Sequence, residues 1–256
     1  MTRHRYLIAL LSAVTLASCS ENAVQEITGP IPSARVKFFN FGVNAPAVNF
    51  YANDIKLTAI SSTTGIESTN GTAYGAVGSA GFYSAVAAGQ YSLTGRIAAT
   101  VDKDLPIATV AATIADDASY SFYMSGFYNT TSKTVEGFVV PDDYPAAIDY
   151  TVAHVRFVHA ISNANPLRLY ARNTTTLVEV PLGAEISYRG AGAFTAVPTG
   201  VYDLGARYAG ITTNAFGRTA VSFVAGRVYT VGARGDITVT SGTATNRPFL
   251  DNTANR

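Results

Sequence analysis

The side chains of this chain that could do chemistry are few, and its histidines come first. His154 and His159 are five residues apart on one predicted strand, so they point to opposite faces and cannot hold one metal ion together. His159 shares a face with Val155 and Phe157, and we interpret it as a strand-end histidine held by backbone partners. His154 is expected to lie in solvent. Neither is accompanied by a Gly-x-Ser-x-Gly sequence that would support a serine hydrolase.

The acidic side chains that could act in pairs are Asp102 with Asp104, Asp116 with Asp117, and Asp142 with Asp143. A glycosidase needs two carboxylates about 5–10 Å apart across a sugar, one of them with a raised pKa. All three pairs lie at predicted turns, where aspartate normally bonds to the backbone. A calcium ion on the first pair would lack a third and a fourth ligand at the right spacing. We therefore predict no catalytic residue and no metal or cofactor site.

Aromatic rings are the remaining candidate for binding. They occupy both faces of one predicted strand and its end, at Tyr120, Phe122, Tyr123, Phe127 and Tyr128. Rings exposed on a sheet can stack on sugars or dock a peptide. The alternative is that one face is core and the other lies under a neighbouring strand or a second domain, and we favour this alternative.

Cys19 is the only cysteine of the chain, and it stands at the end of an export signal. Two arginines precede an apolar stretch, 6–16, that is too short to span a membrane. The sequence Leu-Ala-Ser-Cys that follows resembles the bacterial lipobox, where a signal peptidase cuts before the cysteine and acyl chains are attached. The alternative is an ordinary signal peptide with an incidental cysteine. We predict a signal peptide at 1–18, lipid attachment at Cys19 and a tether at 19–33.

The residue after that cysteine indicates where the protein resides. By resemblance to the sorting pattern of enteric bacteria, Ser20 in place of an aspartate favours the outer membrane over the inner membrane. We expect a lipid-anchored cell-envelope protein that faces the periplasm or the cell surface, and whose acyl chains bind the membrane. Cleavage after residue 18 changes the formal charge from +1 to −1, and the cations are scattered. No nucleic-acid partner is predicted.

One stretch of the sequence is written twice. ARVKFFNFGVNAPAVNFYA begins at Ala34, and AHVRFVHAISNANPLRLYA begins at Ala153, at an offset of 119 positions. Each copy later has a Gly-x-Tyr strand, at 89–93 and 200–204. The duplication predicts two domains, 34–143 (copy one) and 153–256 (copy two), with a linker at 144–152.

The composition, rich in Gly, Tyr, Phe and Val, predicts an all-β protein. Each copy has the length of an immunoglobulin-like, antiparallel β-sandwich, without the Cys–Trp–Cys core of antibody domains. The repeated stretch is predicted to form a hairpin-like pair of strands. We predict strands in copy one near 35–41, 47–52, 55–60, 82–87, 91–98, 107–114, 119–126 and 134–140, with counterparts in copy two.

The repeated stretch also resembles the opening of the bacterial domain-of-unknown-function family 4397. The family pattern, R-V-x-x-H-x-x-x-D/N-A-P-x-V-D-V-Y, matches copy one at Arg35, Val36, Asn44, Ala45, Pro46, Val48 and Tyr51, and copy two at His159, Asn163, Ala164 and Tyr170. Copy one has Asn40 and Asn49 at the family's His and Asp positions. Copy two has Arg168 at the Asp position and its proline one place late, at Pro166. The resemblance implies an exported or surface-anchored β-sandwich, frequently a lipoprotein, and brings no established activity.

Two functions follow as expectations. The first is a non-enzymatic envelope lipoprotein that acts as a binding or structural module, with an envelope glycan or protein as partner. The second is an envelope enzyme acting on glycans. A cluster of buried carboxylates in a cleft would favour the second function.

Overall fold

Alternating apolar residues and frequent turn residues give a chain of short strands. The computed structural model describes residues 31–60, 62 and 64–255, so the predicted signal peptide, Cys19 and most of the tether lie outside the described residues. No helix in this part of the chain is long and apolar enough to cross a membrane. The strands of copy one are β1 (Ala34–Asn40), β2 (Val48–Ala52), β3 (Ile55–Lys56), β4 (Ala76–Val77), β5 (Ser84–Val86), β6 (Gly89–Ile97), β7 (Pro106–Ile114), β8 (Ser119–Asn129) and β9 (Thr134–Pro141).

Copy two repeats this arrangement almost strand for strand. Its strands are β10 (Val152–His159), β11 (Arg168–Asn173), β12 (Glu179–Pro181), β13 (Thr195–Pro198), β14 (Gly200–Arg207), β15 (Phe216–Phe223), β16 (Val228–Arg234) and β17 (Phe249–Ala254). All eight strands predicted for copy one contain a strand of the structure, although the third is only Ile55–Lys56. The short β4 was not predicted.

Each copy is a sandwich of two sheets. One sheet of copy one has the order β4-β1-β8-β9, with β5 also on β1, and the other has the order β3-β2-β6-β7. The corresponding sheets of copy two are β13-β10-β16-β17 and β12-β11-β14-β15. We call the sheets that contain β1 and β10 the inner sheets. Pairing is antiparallel with one exception in each copy, because β1 runs parallel to β8 and β10 runs parallel to β16. These partners are far apart in sequence, so no tight turn forces them to be antiparallel.

The predicted hairpin of the repeated stretch is wrong. β1 belongs to the inner sheet of copy one, whereas β2 pairs with β3 and β6 in the opposite sheet. The turn between them therefore crosses the sandwich. Phe38 of β1 and Phe50 of β2 stack with ring centres 5.0 Å apart, so the two strands meet through side chains rather than backbone bonds. The alternation of apolar residues shows which face of each strand points inward. That face is the same whether β1 and β2 pair in one sheet or lie in opposite sheets, so alternation cannot distinguish the two arrangements.

Three clusters of buried apolar side chains hold this structure together. One fills each sandwich, and the third lies outside both of them. The inner strands supply the third cluster from the face that points away from their own sandwich. Every residue of β10 after Val152 is buried, which is typical of strands covered on both faces. The chain from Pro32 onwards accordingly forms one compact unit.

Candidate functional site

The third apolar cluster is the contact between the two copies. Seven fully buried apolar side chains form it: Phe39, Phe41, Tyr123, Phe138 and Val140 from copy one, and Val158 and Ala160 from copy two. Burying one large apolar side chain contributes about 1.5–3 kcal/mol. Apolar burial alone therefore stabilises this contact by many times the thermal energy.

Tyr123 lies at the centre of the contact. Its ring stacks between Phe39, with ring centres 4.4 Å apart, and Phe138, with ring centres 5.1 Å apart. On the other face of the same strand, Phe122 belongs to the core of copy one. The interpretation that one aromatic face is core and the other lies under the second domain is therefore confirmed for Phe122 and Tyr123, whereas Phe127 is 44% exposed.

Two equivalent cations cross the contact in opposite directions. Lys37 and Arg156 occupy the same position of the repeat, and both are fully buried. Lys37 Nζ donates to the carbonyl of Ala254 in copy two (3.2 Å), and Arg156 Nη1 donates to the carbonyl of Pro141 in copy one (2.8 Å). Each cation thus reaches the end of the last strand of the other copy. Such reciprocity is the property of an isologous dimer interface.

Each of these cations also packs against a ring of its own copy. The Lys37 ammonium lies 4.3 Å from the centre of the Tyr83 ring, and the Arg156 guanidinium lies 5.0 Å from the centre of the Phe194 ring. Tyr83 and Phe194 precede the Gly-x-Tyr strand of their copies by the same interval. The repeat therefore supplies matched cation–π pairs on both sides of the contact.

Asp142 is the acidic centre of this site, and the prediction that it is a turn aspartate is wrong. Its side chain is fully buried and forms an ion pair with Arg156, whose side chain is 2% exposed. The carboxylate also accepts hydrogen bonds from the hydroxyls of Tyr83 (2.6 Å) and Ser121 (2.9 Å). Copy two covers the end of β9. Asp142, which the sequence of one copy alone places at an exposed turn, is therefore buried.

Tyrosines close one side of the acidic centre. The hydroxyl of Tyr83 also hydrogen-bonds to the hydroxyl of Tyr144, and the Tyr144 ring stacks on Phe194 with ring centres 5.3 Å apart. Burial and the nearby Asp142 raise the pKa of Tyr83, so its hydroxyl stays protonated and donates. The predicted linker thus takes part in the contact through Tyr144.

The titration of Lys37 is also altered. Burial lowers its pKa to about 8; Asp142 opposes this shift, and Arg156 adds to it. An amine with such a pKa could serve as a base or a nucleophile. Its Nζ, however, donates to the Ala254 carbonyl and to Asn255 Oδ1 (3.0 Å). The amine therefore links copy one to copy two through these two hydrogen bonds.

The equivalent acid of copy two is arranged differently. Asp251 pairs with Arg234 of its own copy, and both side chains are partly exposed, at 21% and 13%. Burial raises the pKa of the Asp251 carboxyl, while Arg234 opposes the rise. The Arg234 guanidinium lies 4.8 Å from the Tyr74 ring centre and 5.9 Å from the Phe41 ring centre, both in copy one. The contact therefore has one buried acid, Asp142, whose arginine comes from the other copy, and one partly exposed acid, Asp251, whose arginine comes from its own copy.

A polar rim borders the contact near β8. Tyr188 of copy two shares a hydrogen bond with Ser125 (2.8 Å) and donates to Glu136 (2.7 Å), and Arg189 Nη2 also bonds to Glu136 (2.7 Å). Arg189 and Tyr188 lower the pKa of the Glu136 carboxyl. Because this rim is exposed, it contributes orientation more than stability.

His159 has the structural role that we predicted. It is fully buried, its Nδ1 accepts from the Ile161 amide (3.2 Å), and its Nε2 bonds to the Asn165 carbonyl (3.2 Å). At the equivalent position, Asn40 Nδ2 donates to the carbonyl of Pro46 (3.2 Å), which is the equivalent of Asn165. Two residue types thus make the same bond to the same loop. His154 is 7% exposed, so the expectation that it lies in solvent is wrong.

His154 is buried because it shares a face of β10 with Arg156 and Val158, the face turned towards copy one. Nε2 of His154 has no hydrogen-bond partner among the described residues. The repeat thus places a polar ring where one isolated copy would present it to water.

The family's Asp position likewise serves the fold in both copies. Asn49 Nδ2 donates to Glu67 (2.8 Å), and Arg168 Nε donates to the carbonyl of Gly183 (2.8 Å). Each bond fastens the segment that follows the short edge strand of its sheet. The two copies therefore solve one structural task with different residues.

The acid pairs 102/104 and 116/117 lie at turns, as predicted, whereas Asp143 is exposed and follows β9 outside a turn. Asp102 bonds to Lys133 (2.6 Å) and Asp104 accepts from the Tyr51 hydroxyl (2.8 Å), so the two carboxylates serve different partners. Asp116 accepts from the Ser33 hydroxyl. In the described part of the chain, no three His, Cys, Asp or Glu side chains are grouped as a metal site.

Sequence reasoning missed Lys37, Tyr83 and Arg156. One signal could have found Lys37 and Arg156: a cation recurs at the same position of two otherwise apolar strands, where local alternation assigns it to solvent. Recurrence of a charge in a buried strand indicates a shared partner, because an unpaired buried charge is costly.

Comparisons with known proteins add little to this geometry. No protein-family model matches the chain, and no curated protein does. Among solved structures, the chain aligns with the Bacillus anthracis TIE protein at 14% identity, over 78% of this chain and 33% of that chain, with a TM-score of 0.23. The chain thus spans about a third of that protein's length. The resemblance to family 4397 stays a prediction.

Proposed function

We propose that this chain is a non-enzymatic lipoprotein of the bacterial cell envelope, similar to family 4397, that acts as a binding or structural module. Acyl chains on Cys19 anchor it, and the outer membrane is its expected location. The two β-sandwiches form the body that meets a partner, either an envelope protein or a glycan.

One observation supports a non-enzymatic role. The residues with strongly altered pKa values, which in an enzyme would gather around a substrate, gather here around the contact between the copies. Lys37, Tyr83 and Arg156 each have a partner within the chain. Their bonds serve to join the two sandwiches.

The anchor is tested by radiolabelled palmitate. We expect the full-length protein to incorporate the label and to fractionate with membranes, and the Cys19→Ser variant to lose both properties. Ser20→Asp is the matched control for sorting, since it keeps the label and shifts the protein to the inner membrane. Labelling of Cys19→Ser would contradict the lipid attachment.

The binding role is tested by pull-down of the mature protein against purified envelope polysaccharides and envelope proteins. A saturable partner supports it. The glycan-enzyme alternative predicts release of soluble sugar from the same polysaccharides, and loss of that release in a folded Asp142→Asn variant. Release with that dependence would overturn the non-enzymatic proposal.

A further inference from the structure

The last strand, β17, is an edge strand whose outward backbone groups can be assigned. The Asn255 amide donates to the Val228 carbonyl of β16 (2.7 Å). In an antiparallel pair the inward and outward groups alternate. The odd-numbered residues of β17 therefore bond to β16, and Leu250, Asn252 and Ala254 direct their N–H and C=O groups away from the sheet.

Two of these three outward positions are already covered by cations. The Leu250 carbonyl accepts from Arg218 (3.0 Å), and the Ala254 carbonyl accepts from Lys37 (3.2 Å). Asn252 stands between them. Its outward backbone groups have no partner among the described residues, and its Oδ1 is buried without one. Such caps restrict pairing along an edge strand, so a further strand would gain its main-chain bonds at Asn252.

The open position lies in a groove between the copies. Two adjoining recesses, of 490 and 360 Å³, share Asn252 and Thr253 on one wall and Val77 and Ala80 on the other. Phe39 and Phe41 also line the smaller recess. The groove is therefore bordered by strand backbone on one side and by apolar side chains on the other.

One end of the groove has an exposed cation, which forms no ion pair among the described residues, and an exposed aromatic ring. Phe82 is 75% exposed, and Arg227 is exposed without an ion pair in the described part of the chain. The corresponding edge of copy one borders a smaller recess of 260 Å³, in which Arg156 covers the Pro141 carbonyl, and Tyr144 stacks on Phe194. The groove along β17 is thus the larger one of a matched pair.

From this geometry we infer that β17 binds an extended peptide, which adds to the inner sheet of copy two as a further strand. The peptide bonds to the outward N–H and C=O groups of Asn252, places an apolar side chain against Phe82, and places an acidic side chain at Arg227. Strand addition takes its affinity from main-chain bonds and its specificity from alternate side chains. This inference rests on the proposed binding role and names its partner as a protein segment.

The test uses the mature protein and two capped peptides of the same length as β17, 6 residues. Both alternate valine and threonine, and one aspartate stands at either the first or the last position. We expect one of them to bind saturably and to protect the amide of Asn252 from hydrogen exchange. Arg227→Gln should weaken this peptide and leave its asparagine-containing analogue unchanged.

Asn252→Pro is the decisive variant, because it removes an outward N–H without removing a bond to β16. It should weaken binding about tenfold, which corresponds to one or two net hydrogen bonds. Asn252→Thr, which keeps the backbone donor, is its control. Should the proline variant misfold, a peptide N-methylated on the side that faces β17 tests the same bonds on the wild-type protein, and it should not bind.

Three outcomes would overturn the inference: no binding of either peptide, binding without protection of Asn252, or equal binding of the N-methylated peptide. Capture of a polysaccharide equally by the wild type and Asn252→Pro, with no binding of either peptide, would also overturn it, since a sugar does not need that N–H. That last outcome would leave the proposed binding role standing.

Discussion

Replacing Asp142 by asparagine removes a charge and almost no volume. The variant leaves the Arg156 guanidinium buried without its counter-ion, while an amide oxygen can still accept from Tyr83 or Ser121. Because the side chains of Asp142 and Arg156 are 0% and 2% exposed, water cannot screen the unpaired charge. Breaking one half of a buried ion pair costs about 3–5 kcal/mol, a large part of the roughly 5–15 kcal/mol by which domains are usually stable.

The free energy of unfolding is measured by urea denaturation, with the slope of the transition checked for constancy. Asp54→Asn is the matched control, because Asp54 pairs with Arg96 but its side chain is 96% exposed. Its expected cost is about 1 kcal/mol or less. The double variant Asp142→Leu, Arg156→Met should recover much of the loss, since apolar residues can replace a buried pair. A loss in Asp142→Asn no larger than that in Asp54→Asn would refute this account of the contact.

Three further variants test neighbouring parts of the structure. The free energy of unfolding of the wild type should rise by roughly 2 kcal/mol from about pH 8 to 10, because folded Lys37 loses its proton near pH 8 whereas the unfolded chain keeps it to about 10.5. The Lys37→Met variant should show no such rise, and an equal rise in both proteins would contradict the assignment. His159→Asn, which introduces the residue found at Asn40, should abolish the fall in melting temperature as pH drops below about 6.5, since burial lowers the pKa of folded His159 and the unfolded chain binds the proton first. Gly232→Leu should cost about 1–3 kcal/mol in thermal unfolding, because a Cβ there meets the Phe41 ring at 2.8 Å, and Phe41→Leu should restore part of it.

Alternation and turn residues were sufficient to predict the strands of copy one except the short β4. The segment 107–114 lies in the β7 strand despite its three alanines, because it pairs along its length with β6. The duplication likewise predicted that the two halves would share one fold. These features are local, or are repeated locally, and a single sequence contains them.

The contact between the copies could not be predicted in this way. Alternation says that a strand has two different faces, and in β10 both faces are buried. Residues such as His154 and Asp142 are polar and stand where one isolated sandwich would meet water. These residues are buried by the surface of the other copy. Parts of that surface lie more than a hundred positions away in sequence, as the bond from Lys37 to Ala254 shows.

The family's histidine position shows the opposite case. The difference between Asn40 and His159 argues against shared chemistry, and the structure gives the reason: both side chains hydrogen-bond to the carbonyl of the following loop. The difference in residue type was readable from the sequence. The common bond was not, since it depends on where the loop carbonyl points.

The reciprocal clamps also bear on the order in which the chain can fold. Copy one is synthesised first, and its cluster of rings around Tyr123 and the outward carbonyl of Pro141 lack their cover from copy two until that copy is made. At about 5–20 residues per second, the remaining hundred or so residues take roughly 5–20 s to appear. During that interval the first sandwich exposes an apolar surface and an uncapped strand edge. A chain arrested after residue 143 should therefore need a holding chaperone, whereas the complete chain should not.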